Sequence, residues 1–182
     1  MEDVTALALA AQGGDQVALS AFVRSTWSEV ARLVTAVAGR ALAEDATQDA
    51  YFRAIKALPS YRGEASARTW LLSIARRAAV DAVRATARRR RLTTRIASRA
   101  EVRVTVDIGL DDHTLTEQLL GCLETDRRTA FALTQLMGLS YAEAAAVCGC
   151  PVGTIRSRVA RARDDLVRHL GTDDLPDLPP LP

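Results

Sequence analysis

Apolar residues recur at three- and four-residue steps over most of this chain. Between residues 15 and 38 the inward candidates are Val17, Phe22, Val23, Trp27, Val30, Leu33, Val34 and Val37, with Asp15 placed to cap and Gly39 to close. A shorter helix is predicted over residues 4–12, ending at Gly13-Gly14. A third opens at Glu44 and Asp45, acids that suit the positive end of a helix dipole, and runs to Leu58 before Pro59 stops it. After the loop from Ser60 to Ala65, a fourth helix is expected from about Ser66 to Arg91, with Trp70, Leu71, Ile74, Ala78 and Val83 towards the core. The stripe then fades over residues 92–113, where the brief alternation from Val102 to Asp107 would make a strand with no partner. Helical spacing returns between Leu115 and Leu170 as four short helices, broken near Thr125, Gly138 and Gly149.

The expected fold is therefore all-α, with two small helical domains joined by a flexible linker. The first spans residues 1–91 and holds four helices; the linker is 92–113; the second domain is 114–172; a Pro-rich tail occupies 173–182. Composition agrees. Hydrophobic residues make up 48% of the 182, enough for a core, while the aromatic share of 4% and the scarcity of β-branched runs argue against sheets.

Charge adds a second pattern. The formal net charge of +2 conceals a strongly basic middle. From Arg53 to Arg103 only Glu64, Asp81 and Glu101 oppose a dense series of arginines and Lys56, the single lysine. The first 52 residues hold three arginines against seven acids, and residues 104–155 hold two against seven. A basic segment between acidic ends suits a nucleic-acid footprint beside protein-facing surfaces. A solvated arginine-rich surface would give the same counts.

Other chemistry is thin. No signal-peptide pattern and no membrane-length apolar run is present, so the cytoplasm is the expected location and membrane insertion is not expected. Cys122, Cys148 and Cys150 are an odd number without a disulfide framework, and C-x-C is tighter than usual zinc spacing. His113 and His169 are too scattered to complete a metal site. No phosphate loop or nucleophile constellation appears, so neither catalysis nor a cofactor is expected.

Three stretches carry candidate chemistry. Gly138 to Arg163 reads as a helix, a tight turn and a second helix with arginines outside, a geometry that places the second helix in a DNA major groove. Pro151 suits a first turn, Gly153 and Thr154 offer backbone N–H groups to a phosphate, and Ile155, Val159, Ala162 and Leu166 form the inward stripe. Arg156, Ser157, Arg158, Arg161 and Arg163 follow on the remaining sides, and arginine can grip guanine with two hydrogen bonds. Upstream, Asp45, Gln48, Asp49 and Phe52 share one helix face that suits another protein's helix, although an ordinary wet surface beside a core contact would carry the same residues. Between them, Tyr61, Arg62, Arg68, Trp70, Arg76, Arg77 and Arg84 combine cations with rings, a mixture suited to phosphates and unpaired bases.

Together these residues resemble a known family. Asp45-x-x-Gln48-Asp49, the block from Arg62-Gly-Glu to Ile74-Ala-Arg76, and Leu139-Ser-Tyr through Cys150-Pro-Val-Gly-Thr-Ile-Arg-Ser-Arg to Arg161-Ala-Arg are similar to the extracytoplasmic-function (ECF) sigma factors of the sigma-70 family. The likeness covers about residues 4–170, and the C-terminal block resembles an actinobacterial SigC-like group.

The resemblance implies a four-helix sigma-2 domain and a helix-turn-helix sigma-4 domain, with core RNA polymerase and promoter DNA as partners. It implies that Asp45, Gln48, Asp49 and Arg53 dock on the clamp helices of the largest polymerase subunit, and that the polymerase flap is a second contact. It implies −10 reading and melting by Tyr61, Arg62, Arg68, Trp70, Arg76, Arg77 and Arg84, with a flipped base held in a pocket. It implies −35 reading by Arg156, Ser157 and Arg161, with Thr154 and Arg158 on backbone or shape. An anti-sigma factor is a candidate further partner. The chain departs from the family at Arg77, where Asn is usual, and at Ala160, where a bulkier residue is frequent. A helix-turn-helix regulator acting without polymerase is the competing expectation.

Overall fold

The structure is a computed structural model, and it describes residues 3–96 and 112–170. Among these residues there are helices and turns and no strand. In chain order the α-helices are α1 (Val4–Gln12), α2 (Gln16–Ala38), α3 (Arg40–Ala57), α4 (Ala67–Ile96), α5 (Asp112–Gly121), α6 (Thr125–Phe131), α7 (Tyr141–Cys148) and α8 (Val152–Leu170). A 3₁₀ turn, Leu58–Ser60, follows α3, and a π-helical turn, Ala132–Leu136, extends α6. The expected linker lies mostly, and the Pro-rich tail wholly, outside the described residues.

Local chemistry sets most boundaries. Asp3 caps α1 by accepting from the Thr5 amide, and Asp15 caps α2 by accepting from the Val17 and Ala18 amides. Two boundaries differ from the sequence expectation. α3 starts at Arg40 rather than Glu44, because Gly39, at φ 80°, turns the chain within one residue and the following Arg-Ala-Leu-Ala favours helix. Glu44 and Asp45 therefore lie past its first turn, beyond the reach of the dipole argument. α4 continues to Ile96, five residues past the expected end.

Helices α2, α3 and α4 form the first core, built on Phe22, Leu33, Ala50, Leu71 and Leu72, with α1 laid across α2 and α4. Two expected core positions are exposed, and Val23 and Trp70 are half-buried at the edge of the core. Val17, in the first turn of α2, is 77% exposed, and Trp27 is 44% exposed with one ring face stacked on Tyr51 at 5.3 Å. Val83 is only half-buried. In the second half, the predicted stripe of Ile155, Val159, Ala162 and Leu166 is buried throughout.

The two halves meet. One apolar cluster continues from Phe22, Leu33 and Leu72 into Leu133, Leu139, Val147 and Ile155, and α7 lies along α4. A second, smaller cluster joins Leu120, Leu123, Ala162 and Leu166, with Ala36 of α2 packed against it. Arg128 crosses the boundary to donate to the Val37 carbonyl at 3.1 Å, and Arg40 pairs with Glu117 at 3.2 Å.

Candidate nucleic-acid interface

The helix-turn-helix is locally over-determined. Ser140 accepts from the Glu143 amide at 3.2 Å while Glu143 Oε2 accepts from the Ser140 amide at 2.8 Å, a complete capping box at the start of α7. The Ser140 hydroxyl, donating to Glu143 Oε2 at 2.7 Å, and then the Ser140 amide hold the Glu143 carboxyl below the usual carboxylate range. Gly149, at φ 65°, takes the left-handed conformation that ends α7. Pro151 sits one residue ahead of α8 and its carbonyl accepts from the Thr154 amide at 2.9 Å.

On α8, Arg156, Ser157 and Arg161 are exposed on the outward side, while Thr154 is half-buried. Ser157 donates to the Thr154 carbonyl at 3.0 Å, leaving its oxygen free to accept. Arg158 is turned inward, paired with Asp126 of α6 and 3.9 Å from the Cys150 sulfur. Arg163 donates to Gln135 at 2.9 Å. Two of the helix's arginines are thus spent on orienting it, and Arg156 and Arg161 remain for a groove. Asp165 anchors the far end by accepting from Arg127 at 2.6 Å and from Arg168, contacts that hold its carboxyl below the ordinary range.

The loop after α3 forms a small pocket of about 420 Å³, lined by Ser60, Tyr61, Arg62, Glu64, Ala65 and Trp70. Gln12 of α1 holds it in place by donating to the Pro59 carbonyl at 3.2 Å and the Tyr61 carbonyl at 2.8 Å. Tyr61 is only 5% exposed and donates to the Ala65 carbonyl at 2.6 Å, so it is a wall rather than an open platform. Trp70, half-buried, lies tilted against it with ring centroids 5.0 Å apart. Gly63, at φ 71°, makes the turn. A pocket with ring walls beside an exposed Arg62 has the size and chemistry to take one unstacked base.

α4 carries the remaining cations on two sides. Arg77 and Arg84 are exposed. Arg68 donates through Nε to Glu29 of α2 at 2.9 Å and lies 3.9 Å from Glu143 of α7. Arg76 is half-buried, with a buried Nε that has no partner. Nearby, burial pushes the Cys148 thiol up to about 11, although Arg76 and Arg158 oppose it. The structure thus brings Tyr61, Arg62 and Trp70 into one site and sets Arg68 and Arg76 against the second half of the chain.

The α3 face separates from both. Asp45, Gln48 and Phe52 are exposed, Phe52 at 70%, and Ile55 adjoins them. Asp49 and Arg53 are half-buried and paired at 2.8 Å. An open groove of about 450 Å³ between α3 and α4 is lined by Asp45, Asp49, Asp81, Arg53, Arg88 and alanines. Trp27, expected in the core, leaves part of its ring exposed, and helical period alone gives no signal for that. Among the described residues no acid, cysteine and histidine cluster suits a metal ion, and no helix is long and apolar enough to cross a membrane.

Comparison with known proteins agrees with this layout. Residues 22–89 match the family Sigma-70 region 2, and residues 113–166 match Sigma-70, region 4. The ECF RNA polymerase sigma factor SigC of Mycobacterium tuberculosis is 49% identical over 96% of this chain and 95% of its own. The ECF RNA polymerase sigma-E factor of Escherichia coli is 36% identical over 84% of this chain and 86% of its own. Among solved structures, CnrH in complex with the cytosolic domain of CnrY is 26% identical with a TM-score of 0.71, covering 95% of this chain and all (100%) of that one. The sigma factor RpoE of Bartonella quintana, solved with the anti-sigma factor NepR, is 26% identical with a TM-score of 0.66, covering 86% of this chain and 98% of that one. With both regions matched in order and full-length relatives on either side, the chain belongs to the ECF RNA polymerase sigma factors of the sigma-70 family.

Proposed function

We infer that this chain is a detachable promoter-specificity subunit: it binds core RNA polymerase, reads −35 and −10 elements, melts promoter DNA, and has no turnover of its own. It acts in the cytoplasm, where its polymerase works. The observation that carries this reading is the separation of three chemically distinct surfaces on one small helical body. The exposed α3 face, with Phe52 and Ile55 among Asp45 and Gln48, suits a protein helix. The pocket of Tyr61, Arg62 and Trp70 suits a flipped base. The outward side of α8 suits a major groove.

The domain assignment follows the same division: residues 1–91 carry polymerase docking and −10 contacts, 114–172 carry −35 contacts, and 92–113 connect them. Asp45, Gln48, Asp49 and Arg53 serve the clamp helices of the largest subunit, and the second domain meets the flap. Arg62, Arg68, Arg76, Arg77 and Arg84 serve the −10 strand and its phosphates around the Tyr61–Trp70 pocket. Arg156, Ser157 and Arg161 reach base edges, while Thr154 and Arg158 set the backbone register. Arg68 is paired with Glu29 of α2, and Arg76 is half-buried on α4, which packs against α7, so both side chains have to leave these surroundings to reach DNA. An anti-sigma factor is a further partner, a reading supported by the structural relative RpoE, which was solved with the anti-sigma factor NepR.

In vitro transcription tests the reading. Sigma-free core polymerase, a genomic promoter library and this chain are mixed, and start sites are mapped. New start sites that need the added chain are expected. DNA binding without any chain-dependent start site would reject the sigma role.

A further inference from the structure

α4 carries nine arginines and a single acid, Asp81. Steps of three and four residues place Arg77, Asp81, Arg84 and Arg88 on one stripe, and all four are exposed. This stripe is on the side of α4 opposite Arg68, whose neighbour is Glu143 of α7. Unlike Arg68, it is therefore open to a ligand even with the two halves together.

A carboxylate in the middle of such a stripe would repel phosphate within one turn of each neighbouring arginine. Its own arginines do not neutralise it: among the described residues, Arg77, Arg84 and Arg88 have no ion pair. The charge is met from another helix. Arg53 of α3 places Nη1 2.7 Å from Asp81 Oδ2 and Nη2 2.8 Å from Asp49 Oδ2. Both arms of the guanidinium are occupied, and Asp81 is the stronger influence on it.

We propose that Arg53 is a positioning residue for promoter DNA: by neutralising Asp81 it lets α4 present Arg77, Arg84 and Arg88 to duplex phosphates as an unbroken cationic stripe, and it ties that stripe to the polymerase-docking helix. This rests on the promoter-binding role inferred above, and it gives Arg53 a role in DNA binding besides its place on the polymerase-docking face. Arg53→Met leaves Asp81 bare in the stripe. Asp81→Asn removes the repulsive charge. The double variant removes both and restores the stripe.

The test is fluorescence anisotropy of the full chain on a labelled mixed-sequence DNA duplex of about 20 base pairs, between about 50 and 200 mM salt, beside thermal melting and core-polymerase pull-down. Relative to the unaltered chain, R53M should bind duplex about 3- to 10-fold more weakly with a shallower salt slope, D81N about 2- to 5-fold more tightly with a steeper one, and the double variant within about twofold. A structural staple alone would lower the melting temperature of both single variants and give no rescue of DNA affinity in the double. A polymerase contact alone would lower pull-down in R53M and in the double alike and leave duplex binding unchanged. Either result overturns the proposal. If R53M fails to fold, D81N decides: tighter binding upholds the proposal, and unchanged or weaker binding ends it. If the unaltered chain binds no duplex at all, the promoter-binding reading itself fails.

Discussion

Arg128 and Val37 are 91 positions apart, yet the Arg128 guanidinium donates to the Val37 carbonyl at 3.1 Å. The same side chain donates to the carbonyls of Gly121 and Leu123, both at 2.9 Å, and no carboxylate pairs with it among the described residues. Burial lowers its pKa. A cation held only by backbone carbonyls fixes the spacing of two surfaces, here the end of α2 and the start of α6. Arg128→Met keeps the aliphatic bulk and removes these bonds. It should destabilise the chain by about 1–3 kcal/mol and raise the radius of gyration as the halves separate. Thermal melting and small-angle X-ray scattering check both parts, and an unchanged radius would free this contact of any role in holding the halves.

Phe52 is exposed on α3, so its loss leaves no cavity. Phe52→Ala should change stability by no more than about 0.5 kcal/mol while weakening core-polymerase association by about 2 kcal/mol, as for an aromatic anchor. A pull-down titration beside a melting curve separates the two effects. Full association with F52A would remove this face from the docking surface.

Arg161→Ala should weaken binding to a −35 duplex by about 1–3 kcal/mol and relax preference at one base position. Polymerase pull-down should stay at the level of the unaltered chain. Arg158→Ala has another expected profile, because Arg158 pairs with Asp126 inside the domain: it should lower the melting temperature as well. If R161A loses polymerase binding together with DNA binding, the division of labour drawn here is wrong.

Gly149 closes α7 at φ 65°, and a Cβ added there meets nothing within 4 Å. Gly149→Ala should therefore cost only the backbone penalty for a left-handed residue, about 1–2 kcal/mol, without a steric clash. Guanidinium denaturation measures it. A cost above about 4 kcal/mol would mean the turn is crowded in a way the structure does not show.

Asp165 accepts from Arg127 and Arg168, and its folded pKa lies below the unfolded value. A depressed carboxylate stabilises the fold above its unfolded pKa, near 3.9, and that contribution is lost as pH falls through the folded pKa. Asp165→Asn should thus melt at a lower temperature than the unaltered chain at pH 7, and the gap should close as pH falls through the folded pKa. A gap of constant size across that range would assign the effect to packing rather than charge.

Much of this protein was legible in one dimension. Buried stripes at helical spacing, the capping acid Asp15, the helix break at Gly149 and the inward set Ile155, Val159, Ala162 and Leu166 all depend on residues within a few positions of each other. The start of α3 was misjudged because two acids looked like a helix opening when Gly39 had already supplied the turn. The exposure of Val17 and Trp27 was misjudged because period alone cannot tell which inward-facing residues find a partner helix.

By itself, then, the order of residues determined which segments are helical, which side of each is apolar, and that the motifs stand in sigma-70 order. Tertiary structure decided how the charges are used. It gave Arg158 to Asp126, Arg53 to Asp49 and Asp81, Arg68 to Glu29 and Glu143, and left Arg156 and Arg161 open. Helical periodicity is a local property, repeating every 3.6 residues. Ion pairing between helices depends on which faces meet and at what angle, and packing settles that across tens of intervening residues.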